Sequence, residues 1–111
     1  MPHFVIDCSE NINALKPAKE IMQKVYETAE HSKLFEPGDI KVRINSFSKY
    51  QLGTSKDSFI HVFANIMEGR TNEQKSLLSK KVVEALNLLL PSVPIISMNI
   101  RDFEKATYYN N

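Results

Sequence analysis

Pro2 is the residue in this chain with the most chemistry to offer, provided its nitrogen is free. Initiator methionine is normally removed when a small residue such as proline follows it, and removal leaves Pro2 with a secondary amine. An α-amino group titrates at about 7.7–8.0, and burial or nearby cations push that value down by disfavouring the protonated form. An amine poised near neutrality removes a proton as a general base and returns it as a general acid. With Met1 still attached, the same nitrogen is an amide and has no such capacity. By position alone Pro2 is an ordinary second residue, so the reading depends on what surrounds it.

Three cations could supply those surroundings. Arg70 lies between Gly69 and a helix opened by Thr71. The free N–H groups of a first helical turn and the helix dipole favour an anion there, and a guanidinium grips a carboxylate in bidentate fashion. Lys41 and Arg43 stand two apart on a strand and therefore share a face, where they could hold a second carboxylate and lower the Pro2 pKa. The plainer readings are a solvated loop arginine and a cationic strand edge that guards against aggregation. His61, on an otherwise apolar strand, reads as a hydrogen-bonded core histidine. Cys8 reads as core packing, and Lys75, Lys80 and Lys81 as a solvated helix face. His3, His31 and His61 stand far apart in sequence and no Cys/His cluster has metal spacing, so no metal site is expected.

The elements that must position these residues form one pattern written twice. His3 to Cys8 is a strand, Pro17 to His31 a helix with Ile21, Met22, Val25, Tyr26 and Ala29 on one stripe, and Ile40 to Ile44 an alternating strand. A polar connection runs from Ser46 to Asp57. Then Phe59 to Met67 reads as a strand, Thr71 with Gln74 as a capping box opening a helix that continues to Leu89, and Ile96 to Phe103 as a strand. Pro91 and Pro94 close the second helix. The strand-to-strand offset is nearly equal in the two halves and suits a crossover between parallel strands. The expected fold is α+β: duplicated β-α-β units in one four-stranded sheet, both helices on one face, as a single domain over residues 1–111. The third strand reads as apolar on both faces, through Ile60, Val62, Ala64 and Ile66 on one side and Phe59, Phe63 and Met67 on the other. Two helices cover one face only, so a further subunit is expected on the other.

Composition narrows the classes. A chain of 111 residues with 42% hydrophobic residues supports one core. Fourteen basic and thirteen acidic residues give a net charge of +1, which offers no electrostatic footprint for nucleic acid. Apolar runs are too short to span a bilayer, and Asp7 and Glu10 interrupt the N-terminus too early for a signal peptide. The single Cys8 forms no internal disulfide, which suits a reducing cytoplasm.

Three stretches carry a family resemblance: Met1-Pro2-His3-Phe4-Val5-Ile6-Asp7-Cys8-Ser9, His61-Val62-Phe63 followed by Gly69-Arg70-Thr71, and Ile96-Ser97-Met98-Asn99-Ile100-Arg101-Asp102. Over nearly its whole length the chain resembles the 5-carboxymethyl-2-hydroxymuconate delta-isomerases of the tautomerase superfamily. The resemblance implies a tautomerase/MIF-like fold, a homotrimer, no metal and no cofactor. It further implies Pro2 as acid/base catalyst, Arg70 as a carboxylate ligand, and an isomerase acting on small unsaturated oxo-acids of homoprotocatechuate-type aromatic breakdown. Where the family has a further arginine, the register counted from Phe35 places Lys41, with Arg43 two residues on. Lysine keeps the charge but loses the bidentate fork, which leaves open a different carboxylate substrate. A non-catalytic trimeric interaction protein is the alternative from another class.

Overall fold

The repeat read from the sequence is the architecture of the chain. In the computed structural model, which describes residues 1–53 and 55–111, β1 (His3–Ser9) passes through a short 3-10 turn (Glu10–Ala14) into α1 (Ala18–His31). A second 3-10 turn (Pro37–Asp39) leads to β2 (Lys41–Phe47). The second unit is β3 (Ile60–Met67), α2 (Asn72–Leu89) and β4 (Ile96–Phe103). The sheet order is β2-β1-β3-β4. Each unit pairs its own strands in parallel, and the two units meet through the antiparallel pair β1/β3.

Period-two burial fixes which side each strand shows. Phe4, Ile6 and Cys8 are fully buried, while His3, Val5 and Asp7 between them are not. On β3, Ile60, Val62, Ala64 and Ile66 are buried. Against this face α1 lays Ile21, Val25 and Ala29, and α2 lays Leu78, Val82 and Leu86, all in one hydrophobic cluster. Each large apolar side chain sealed there contributes roughly 1.5–3 kcal/mol, which is why the helices dock on the side they do.

Boundaries differ from the sequence reading in small, explicable ways. Pro17 is the N-cap of α1, with extended backbone, and not a residue of its first turn; its carbonyl accepts from the N–H groups of Glu20 and Ile21. Phe59 lies outside β3 because the buried Ser9 hydroxyl accepts its N–H at 3.1 Å, ending the ladder one residue early. β2 runs on through Asn45, Ser46 and Phe47, of which the first two are polar residues with little strand signature. There the pairing continues to Asp7, Cys8 and Ser9, and the Asn45 amide donates to the Asp7 carboxylate at 3.2 Å.

The face away from the helices is open. It carries His3, Val5, Lys41, Arg43, His61, Phe63, Asn65, Met67, Asn99, Arg101 and Phe103 by strand register. The expectation that β3 is apolar on both sides therefore narrows to Phe63 and Met67, with Phe63 42% exposed. No helix among the described residues is long and apolar enough to cross a membrane.

Candidate active site

Pro2 is buried at the start of β1, where its carbonyl accepts the Lys41 N–H at 3.1 Å and so ties it to the first residue of β2. It lines a polar cavity of about 250 Å³ together with Met1, Lys33, Leu34, Phe35, Glu36, Asp39, Met67 and Arg70. The loop after α1 thus forms one wall, the end of β3 another, and Arg70, just before the N-cap of α2, a third.

Arg70 reaches this cavity because of the turn that precedes it. Gly69 takes φ 120°, a conformation that L side chains rarely adopt, and this reverses the chain between β3 and α2. Thr71 then caps the helix: its hydroxyl accepts from Gln74 N–H at 3.1 Å and the Gln74 side chain accepts from Thr71 N–H at 2.9 Å. Held at that point, the Arg70 guanidinium donates to the Leu34 carbonyl and, at 3.4 Å, to the Met67 carbonyl. It also lies 5.3 Å from the centre of the Phe35 ring. Phe35 is itself packed edge-on against Phe4 at 6.0 Å, so the platform under the guanidinium belongs to the core. Arginine has five N–H donors, and these two carbonyls engage only part of the fork.

Lys41 and Arg43 share the open face but not the same surroundings. Lys41 Nζ donates to the Asp39 carbonyl at 3.0 Å and lies 3.8 Å from the Met1 sulfur, beside the N-terminus. Arg43 is paired with Val5 and its guanidinium donates to His3 Nδ1 at 3.1 Å, away from the cavity. Since arginine only donates, His3 accepts on Nδ1 and is neutral there. Burial first, then the charges of Arg43, Lys41 and the N-terminus, holds the His3 pKa below its ordinary value. The cavity therefore brings together Pro2 and Arg70; Lys41 does not line it but touches two lining residues, Met1 and Asp39, at its rim, and Arg43 stands two residues further along β2.

Sequence reasoning missed Lys33. It follows the C-cap of α1 in a left-handed conformation, φ 61°, where glycine is the common choice, and lines the cavity. Glu36 and Asp39 were also missed; both sit on the wall and make the site mixed in charge. The one available signal was the string from Lys33 to Asp39 between two periodic segments, where loop residues with chemistry tend to collect.

Other candidates resolve differently. His61 is on the open face, not in the core: Ser97 Oγ is 2.7 Å from Nδ1, and Asn99 Oδ1 accepts from Nε2 at 2.7 Å. Cys8 is fully buried, and burial raises its pKa, with the charge of Asp7 adding to this and a Ser46 hydrogen bond opposing it. Lys75 is no solvated lysine but bonds the Asp102 carboxylate at 3.1 Å, joining α2 to β4. A concavity of about 640 Å³ lies between the two helices and is remote from Pro2 in its lining. Among the described residues no group of three His, Cys, Asp or Glu side chains could hold a metal ion.

A protein-family model described as 5-carboxymethyl-2-hydroxymuconate isomerase matches residues 2–111. No curated protein sequence matches the chain significantly. Solved structures match its fold. A 5-carboxymethyl-2-hydroxymuconate isomerase from Deinococcus radiodurans R1 superposes with a TM-score of 0.85 at 22% identity, over 99% of this chain and 88% of that one. A fused 4-OT symmetric trimer gives 0.77 at 14% identity, over 94% and 87%. A macrophage migration inhibitory factor-like protein from Entamoeba histolytica gives 0.76 at 15% identity, over 99% and 95%. The four-stranded mixed sheet with two helices is the tautomerase/MIF-like arrangement.

Proposed function

The chain belongs to the 5-carboxymethyl-2-hydroxymuconate isomerase family, and from that premise we propose that this isomerase of the tautomerase superfamily uses Pro2 as its acid/base catalyst on an unsaturated oxo-acid, foremost 5-carboxymethyl-2-hydroxymuconate. The observation that carries the reading is the single cavity shared by Pro2 and Arg70.

With Met1 removed, the Pro2 amine takes the proton of the 2-hydroxyl group of the dienol. It then delivers a proton to carbon 5, so the nitrogen ends as it began and no other reagent is consumed. Negative charge develops on the 2-oxo group during the transfer. Arg70, oriented by the Leu34 and Met67 carbonyls, and Lys41 at the rim hold substrate carboxylates and stabilise that charge. Arg43, whose guanidinium donates to His3, adds its own positive charge to the open face beside Lys41. Burial of Pro2 and these cations both favour the free amine near neutral pH.

A second reading differs in the substrate. Glu36 and Asp39 on the cavity wall repel a multiply charged acid, which favours a monocarboxylate oxo-acid turned over by the same amine. Comparing kcat/KM for mono-, di- and tricarboxylate enols separates the two: a preference for the monoacid rejects the muconate. In either case the open sheet face, with Val5, Phe63, Met67 and Phe103 on it, fits a homotrimer of the kind named for the fused 4-OT structure. Sedimentation at micromolar concentration tests this, and a monomer rejects it. A protein that is trimeric yet turns over none of these acids with a free Pro2 is the non-catalytic interaction protein instead.

A further inference from the structure

The outer side of α2 carries two exposed leucines that the core does not use, with a lysine and a glutamate between them. Leu77 is 55% exposed and Leu88 85% exposed, both outside the core stripe of Leu78, Val82 and Leu86. Between them on the same side stand Lys81 and Glu84, also exposed. All four border the groove of about 640 Å³ between α2 and the end of α1. Neither Lys81 nor Glu84 makes an ion pair among the described residues.

The spacing of these four is the seam of an antiparallel helix pair. Positions 77, 81, 84 and 88 recur at intervals of four, three and four, which keeps them on one face over about 16 Å of helix. The order Leu-Lys-Glu-Leu is self-complementary about a two-fold axis passing between Lys81 and Glu84. Set antiparallel against a copy of itself, Leu77 meets the copy's Leu88, and Lys81 meets the copy's Glu84. The same contacts repeat on the other side of the axis, as an isologous interface requires. Any parallel or head-to-tail arrangement would oppose Lys81 to lysine or leave the charges unmatched.

We infer that this face of α2 is a docking surface for a second copy of the chain, paired two-fold and antiparallel through Leu77, Lys81, Glu84 and Leu88. The surface is on the helical side of the molecule and is independent of the open sheet face. One helix pair is a small interface, so the association is concentration-dependent.

Sedimentation equilibrium over a wide concentration range tests it. Wild-type protein reaches twice the limiting mass of Leu77→Glu/Leu88→Glu. The single reversals Lys81→Glu and Glu84→Lys each weaken the association constant on the order of tenfold. Mixing the two single variants restores it, because each then meets its opposite charge, and so does the double swap in one chain. Circular dichroism and a thermal melt establish that each variant is folded. Equal mass for wild type and Leu77→Glu/Leu88→Glu up to millimolar concentration overturns the inference. So does association that ignores both reversals. If 1-anilinonaphthalene-8-sulfonate binds wild type but not the double variant while mass stays equal, the groove takes another apolar partner and self-pairing is likewise overturned.

Discussion

The Arg70 guanidinium donates to the carbonyl of Leu34, so the turn between β3 and α2 of the second unit is bonded to the loop that follows α1 in the first. This bond spans the wall of the Pro2 cavity, and the Met67 carbonyl and Phe35 ring hold the same side chain from two other directions. One arginine therefore has a part in the fold and, in the function proposed, a second part in the capture of an anion.

Arg70→Ala separates them. A lost charged hydrogen bond is worth about 1.5–3 kcal/mol, which corresponds to a fall of roughly 10- to 100-fold in kcat/KM. Stability falls too, because the Leu34 and Met67 carbonyls lose their donor. Arg70→Lys keeps the charge but not the fork and is expected between the two. An unchanged kcat/KM in Arg70→Ala, with the fold intact by circular dichroism, removes this residue from the site.

Lys33 allows a cleaner test of charge. Its left-handed backbone suits glycine, so Lys33→Gly removes the cation without adding strain. The expected result is a raised KM for acidic substrates with kcat little changed, since the residue lines the cavity wall without a bond to Pro2. An equal KM for wild type and variant places Lys33 outside substrate binding.

Thr71→Ala breaks the capping box that sets the start of α2. Loss of such a cap costs about 1 kcal/mol, a fall in Tm of about 4–8 °C for a domain near this size. Differential scanning calorimetry reads it directly. A Tm within a degree of wild type shows that the cap is not what fixes this helix end.

Burial, with Arg43 and Lys41 nearby, depresses the His3 pKa in the folded chain below the ordinary imidazole value of about 6.5. Its neutral form is favoured on folding, so the unfolded state takes up the proton first as pH falls. His3 therefore costs stability progressively below about pH 6.5 and nothing well above it. The effect is modest because the ring is partly exposed. His3→Asn is expected to flatten the loss of urea midpoint between neutral and mildly acidic pH. An identical pH slope in the variant shows that other groups set it.

Much of this was legible in the sequence, for reasons that can be assigned to particular residues. The buried stripes of α1 and β1 follow from period alone, and the capping box of Thr71 and Gln74 is a local motif with a local cause. The placing of Lys41 and Arg43 on one face was also local, but their different surroundings were not: His3, beside Arg43, comes from another strand, and Met1, beside Lys41, from the N-terminus. Lys33 was hidden because its backbone conformation is set by the end of α1, and nothing in a lysine advertises a positive φ. Lys75 looked solvated because Asp102, its partner, is on a distant strand. His61 looked like a core residue because its neighbours in sequence are apolar; its hydrogen-bonding partners are two residues of β4.

If the Pro2 nitrogen moves the proton, blocking that nitrogen stops turnover. Ketonisation of 5-carboxymethyl-2-hydroxymuconate is followed by ultraviolet absorbance with two forms of the protein. One form begins at Pro2, verified by mass spectrometry; the other carries an N-terminal extension that keeps the nitrogen as an amide. General acid/base catalysis contributes about 10²–10⁴-fold, so the account predicts rapid turnover by the first form and a loss of at least about 100-fold in the second. Equal turnover by both forms would contradict it, because an amide nitrogen can neither take up nor return the proton.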